Sequence, residues 1–88
     1  MDFIFPKENE IVIIPVNFDE FRNEIILKLA HRQPDTNVYW YLDEAYIGTT
    51  KDFHELSLSP NPGKYTLLVM DDFGNQLKRN VEFRAIMN

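Results

Sequence analysis

The chain contains no cysteine, which excludes disulfide frameworks, thiolate nucleophiles and cysteine-ligated zinc together and leaves the redox compartment open. Only three residues are glycine, and none stands in GxGxxG or GxxxxGK spacing, so no phosphate-cradling loop is available. Serine is equally scarce. Ser57 and Ser59 are the only two, neither is followed by lysine at the third position, and no KTG triplet or GxSxG elbow supports acyl-transfer chemistry. Positive charge is in the minority, with 9 Lys and Arg against 14 Asp and Glu. The resulting net charge of −5 argues against a nucleic-acid partner, because such affinity comes largely from cations that displace phosphate counterions. No apolar run reaches the 18 residues that a membrane span needs. The first ten residues, MDFIFPKENE, lack the basic segment and apolar core of a signal peptide. If the protein is exported, its targeting segment is expected elsewhere in a longer chain.

What the sequence does have is apolar and aromatic material. Hydrophobic residues make up 44% of the 88 positions, with seven Phe, four Tyr and one Trp. That is enough to offset the entropy of ordering one backbone and too little for two cores, so a single domain over residues 1–88 is expected.

Short apolar runs separated by turn residues predict an all-β, Ig-like or fibronectin-like antiparallel sandwich of about seven strands. FIF (3–5) and IVII (11–14) each end at a proline, Pro6 and Pro15, and read as one edge strand broken by PKENE. In 23–32 the alternation puts Ile25, Leu27 and Leu29 on the core face. The stretch 18–32 also carries Phe18, Phe21, Ile25 and Leu29 near a helical period, so a turn or short helical loop is expected around 18–22 before the strand. In VYWYLD (38–43), Val38, Trp40 and Leu42 share the inner face, and Tyr39 and Tyr41 the outer. A hairpin follows with its tip near Asp43-Glu44 and a bulge or bend at Gly48. His54, Leu56 and Leu58 alternate with Glu55, Ser57 and Ser59. Pro62-Gly63 turns the chain into 64–70, where Tyr65, Leu67 and Val69 face the core, and the last run, 76–86, sets Val81, Phe83 and Ala85 on one face.

Three groups are candidates for chemistry. Asp71, Asp72 and Asn75 supply oxygens from one loop, but the twelve-residue pattern of a calcium loop stops after five. Turn formation around Gly74 explains the same residues. His31 and His54 have no HxxxH or HExxH spacing, and each reads as a strand-end histidine with one ring edge solvated. Tyr39, Tyr41 and Tyr46, followed by Phe53, form an outward aromatic series that could bind a protein or a glycan through ring faces, or pack on a loop or a neighbouring domain. No cofactor is expected.

The residues VYWYLDEAYIGTT (38–50) and HELSLSPNPGKYTLLVMDDFGNQLKRNVEF (54–83) resemble the C-terminal domain of bifunctional, class A penicillin-binding proteins of the 1C type. The shared features are the proline-ended first strand FIFP, Trp40 with Leu42, Ile47-Gly48, Pro62-Gly63-Lys64-Tyr65, an acidic residue with Gly74, and Val81-Glu82-Phe83. One departure is Glu44-Ala45 where the hairpin commonly has Asn-Gly. The resemblance implies a periplasmic, cell-envelope fragment of a peptidoglycan synthase whose glycosyltransferase and transpeptidase activities lie upstream. It implies a non-catalytic accessory domain whose partner is the neighbouring transpeptidase domain or an envelope protein. A glycan-strand-binding module and an Ig-like domain of a surface adhesin are the alternatives. Trp40, Gly63, Tyr65 and Gly74 are then core and turn positions. Ig-like sandwiches often set a tyrosine like Tyr65 at a strand start, with its hydroxyl bonded back to the preceding corner.

Overall fold

The structure, a computed structural model, describes residues 1–16, 24–33 and 35–87. The turn or short helix expected around 18–22 lies outside the described residues. Among those described, every regular element is a strand: β1 (Asp2–Phe5), β2 (Glu10–Val16), β3 (Ile25–Ala30), β4 (Asn37–Leu42), β5 (Ala45–Lys51), β6 (Glu55–Leu58), β7 (Gly63–Asp71) and β8 (Gln76–Met87). They form a three-stranded sheet, β1-β3-β6, packed on a five-stranded sheet, β2-β8-β7-β4-β5. The all-β sandwich is the expected fold class, with eight strands in place of about seven.

The extra strand comes from the N-terminal segment. The two runs read as one broken edge strand belong to different sheets: β1 pairs antiparallel with β3, and β2 pairs with β8. The β2–β8 pair is parallel, so the sandwich is not antiparallel throughout. The chain changes sheets through the loop at 6–9, where Pro6 is fully buried and Asn9 takes a positive φ of 58°. Proline does mark edges here, because β1 and β2 each have one neighbour and a missing N–H costs least on an edge.

Alternation sorts the core. Leu27, Val38, Trp40, Leu67 and Val69 are completely buried, and Leu29, Val81 and Phe83 nearly so, whereas Ala85, on the same face of β8, is exposed. Phe3 meets Trp40 edge-on across the two sheets, with ring centroids 6.2 Å apart. Arg79 follows the same inward parity. Its guanidinium lies 5.0 Å from the centre of the Phe3 ring and reaches Asp2 and Glu8 at 3.5 and 3.7 Å, which closes the side of the sandwich where β1 leaves it.

Turn geometry follows from residue chemistry. Asp43 and Glu44 both have positive φ, 47° and 70°, and lie between the paired Leu42 and Ala45, as a two-residue primed turn requires. The reversal therefore sits one residue before Glu44-Ala45. Asp43 tolerates it because its carboxylate accepts the Thr66 backbone N–H while its own N–H donates to the Thr66 carbonyl. The register shifts between Trp40 and Tyr41, opposite Ile47-Gly48. A side chain at Gly48 would bring a Cβ within 3.0 Å of Leu56 of β6, so glycine allows this close approach of the two sheets.

Candidate functional site

The outer face of the five-stranded sheet collects the three tyrosines. Tyr39 and Tyr41 alternate on β4 with the buried Val38 and Trp40, and Tyr46 pairs with Tyr41 from β5. The Tyr41 and Tyr46 rings pack edge to face at 5.7 Å, and Tyr46 is 58% exposed. Across the ladder, Leu68 of β7 is opposite Tyr41 and Met70 is opposite Tyr39, both half-buried. The surface is thus a preformed aromatic and aliphatic patch that runs from the central strand β7 across β4 to the edge strand β5. Phe53 is not part of it: 84% exposed, it lies beyond β5 and lines a depression with Ile4, Lys28 and Ala30 of the other sheet.

Hydrogen bonds hold the patch in one conformation. The Tyr39 hydroxyl donates to Asp72 at 2.9 Å, and Asp72 also accepts the backbone and side-chain N–H groups of Asn37. Those bonds, the Asn37 backbone first and Tyr39 next, keep the Asp72 carboxyl below its ordinary pKa, and donation to Asp72 raises that of Tyr39. The Tyr46 hydroxyl is tied to Thr49 on its own strand.

Asp71, next along the chain, points the other way and is buried. Its Oδ1 accepts the backbone N–H groups of Phe73 and Asn75, and its Oδ2 accepts the Asn75 side-chain amide and His31 Nε2–H. Burial alone would raise its pKa, but donation from Asn75, His31 and Phe73 outweighs burial and holds it well below the usual carboxylate range. Four protein donors therefore occupy the carboxylate that read as a candidate metal ligand. Gly74 completes the turn with φ 84°.

Both histidines depart from the expectation of a solvated ring edge. His54 is 6% exposed and the His31 side chain 5%, and their rings lie 5.8 Å apart at the end of the sandwich. His54 Nδ1 bonds the Thr50 hydroxyl, which accepts the indole N–H of Trp40 at 2.8 Å. Burial, and then the neighbouring His31, lower the His54 pKa against the opposing pull of Asp52. This cluster spans 40 residues between His31 and Asp71, and no local spacing announces it. The only signal in sequence was the inward parity of His54 with Leu56 and Leu58.

Tyr65 and Gly63 lie at the opposite end. The Tyr65 hydroxyl donates to the Asn61 carbonyl at 2.8 Å, across the turn that Gly63 leaves with φ 151°.

This sheet order, the tyrosine bonded back to its corner and the braced turn after β7 coincide with a family match. The model of the penicillin-binding protein C-terminus family matches residues 1–83. The chain belongs to that family. No curated protein sequence matches the chain. Among solved structures, this penicillin-binding protein C-terminal domain is similar to the fibronectin(III)-like modules of Clostridium thermocellum CbhA, with a TM-score of 0.65. Identity is 14% over 98% of this chain and 95% of that one, a likeness of fold.

Proposed function

We propose that this chain is a non-catalytic accessory domain of a penicillin-binding protein that takes part in peptidoglycan synthesis in the cell envelope. It acts by presenting the Tyr39, Tyr41 and Tyr46 face of the five-stranded sheet to a protein. The partner is the neighbouring transpeptidase domain of the same protein or another envelope protein. The observation that carries this reading is the exposed Tyr46 ring held edge to face on Tyr41, beside Leu68 and Met70. Tyrosines already held in place lose little entropy on docking and serve well as interface anchors.

The experiment is calorimetric titration of the 88-residue domain with the separately expressed transpeptidase domain of its parent protein. Tyr46→Ser and Tyr41→Ser are each expected to weaken binding by about tenfold or more, with a cooperative thermal unfolding transition retained well above the titration temperature. Unchanged affinity in both variants would refute a docking role for this face. A glycan-strand role for the same rings predicts that the domain sediments with peptidoglycan and that Tyr39→Ala or Tyr41→Ala abolishes it. The edge-to-face pair offers no flat two-ring platform, which favours a protein partner.

A further inference from the structure

The two histidines are the structure's least expected juxtaposition, and neither takes part in the docking face. Each imidazole is fixed in place by hydrogen bonds from its partners. Gln33 donates its backbone N–H to His31 Nδ1 at 2.9 Å, so the ring proton sits on Nε2, where it reaches Asp71. Thr50 accepts from Trp40 and has its own proton left, so its hydroxyl can donate to His54 Nδ1 when that nitrogen is bare. We infer that the His31–His54 pair, buried between the ends of β3, β5 and β7, is an acid-operated latch that keeps this end of the sandwich closed above neutral pH and releases it on acidification.

The charges around the pair set the direction. His54 faces His31 from the end of β3, Asp52 from its own loop, and Lys28 and Glu55 across the depression that they line together. His31 faces Asp71 of β7, with Arg32 beside it and Asp2 of β1 in the adjoining depression. The Gln33 N–H occupies His31 Nδ1 while Nε2 donates to Asp71, so both ring nitrogens of His31 are taken and any movement of His54 against it is felt by the segment after β3. A proton on His54 makes its Nδ1 a donor, so the Thr50 hydroxyl must turn its own proton away and accept from Trp40 and His54 together, and it sets a charge in a buried site 5.8 Å from a second imidazole. The buried state therefore favours neutral His54, and burial lowers its pKa in the same sense. Stability is complete above the unfolded value of about 6.5 and is lost as pH falls below it. Release also reaches the turn after β7, because Asp71 is held there by His31.

Urea unfolding of the chain between pH 8 and 5, compared with His54→Asn, tests the latch. Asparagine can still accept from Thr50 at the Nδ1 position but does not titrate. The wild-type unfolding constant is expected to rise toward about tenfold per pH unit below pH 6.5, one proton taken up on unfolding, and His54→Asn to flatten that rise. Equal slopes in the two proteins overturn the inference. If His54→Asn does not fold, NMR titration of the wild-type rings decides. His54 titrating below 6 together with a shift of the Gln33 amide supports the latch, and His54 titrating at or above 6.5 refutes it.

Discussion

Replacing Asp71 separates the contribution of its charge from that of its geometry, because the two carboxylate oxygens serve different donors. Oδ1 takes the turn amides of Phe73 and Asn75, and Oδ2 takes His31 and the Asn75 side chain. Asp71→Ala removes all four bonds. The turn amides can turn to water, since residues 72–75 are exposed, but His31 Nε2–H stays buried with no acceptor. His31 cannot switch tautomer without losing Gln33. Removing one partner from a buried, charge-assisted network costs about 3–5 kcal/mol, a large part of the 5–15 kcal/mol typical of a small domain. Asp71→Asn keeps the oxygen facing the turn and sets an amide against His31 and Asn75. The Asn75 side chain can flip to accept, which leaves one donor conflict, at His31, of about 2 kcal/mol. The measurement is urea unfolding at pH 7 with the slope m checked for constancy. Because donation lowers the Asp71 pKa, its contribution is present above its unfolded value of about 3.9 and lost as pH falls below that. The deficit of the alanine variant should therefore be the same at pH 8 and pH 7, above the range where the histidines titrate, and shrink toward pH 3. An alanine deficit under 1 kcal/mol, or an asparagine deficit equal to it, refutes the reasoning.

Trp40→Ala should cost about 3–5 kcal/mol in denaturant melts, since it empties the centre of a core where Trp40 is fully buried and also removes the indole N–H that the Thr50 hydroxyl accepts. A loss under 1 kcal/mol would mean that the core closes without it. Tyr65→Phe removes one hydroxyl bond to the Asn61 carbonyl and should lower stability by about 1 kcal/mol, with the ring still packed on Phe83. No change in its melting midpoint would show that the bond contributes nothing. Gly74→Ala meets no neighbour within 4 Å, so any loss, expected at about 1 kcal/mol, comes from the positive φ alone and is readable in the same melts.

The strand faces and most turns could be read from the residues, because both are decided locally. Period-two alternation assigns Leu27 and Leu29, Val38 and Trp40, Leu67 and Val69, and Val81 and Phe83 to one side whatever sheet they join, and all eight are in the core. Gly74 and the reversal near Asp43-Glu44 depend on the φ tolerance of a few adjacent side chains. Alternation says nothing about which strand lies alongside. Only the packed molecule sends β1 and β2 to different sheets and makes β2 parallel to β8, because a buried apolar face is satisfied by any partner that covers it. The same holds for polar contacts across long separations. Asp72 reaches Tyr39 across 33 residues, Arg79 reaches Asp2 across 77, and Asp71 reaches His31 across 40. A carboxylate at the end of a strand looks like turn chemistry from its neighbours in the chain. Closure of the sandwich around Asp71 brings it the donors that make it a buried brace as well, and brings His31 against His54.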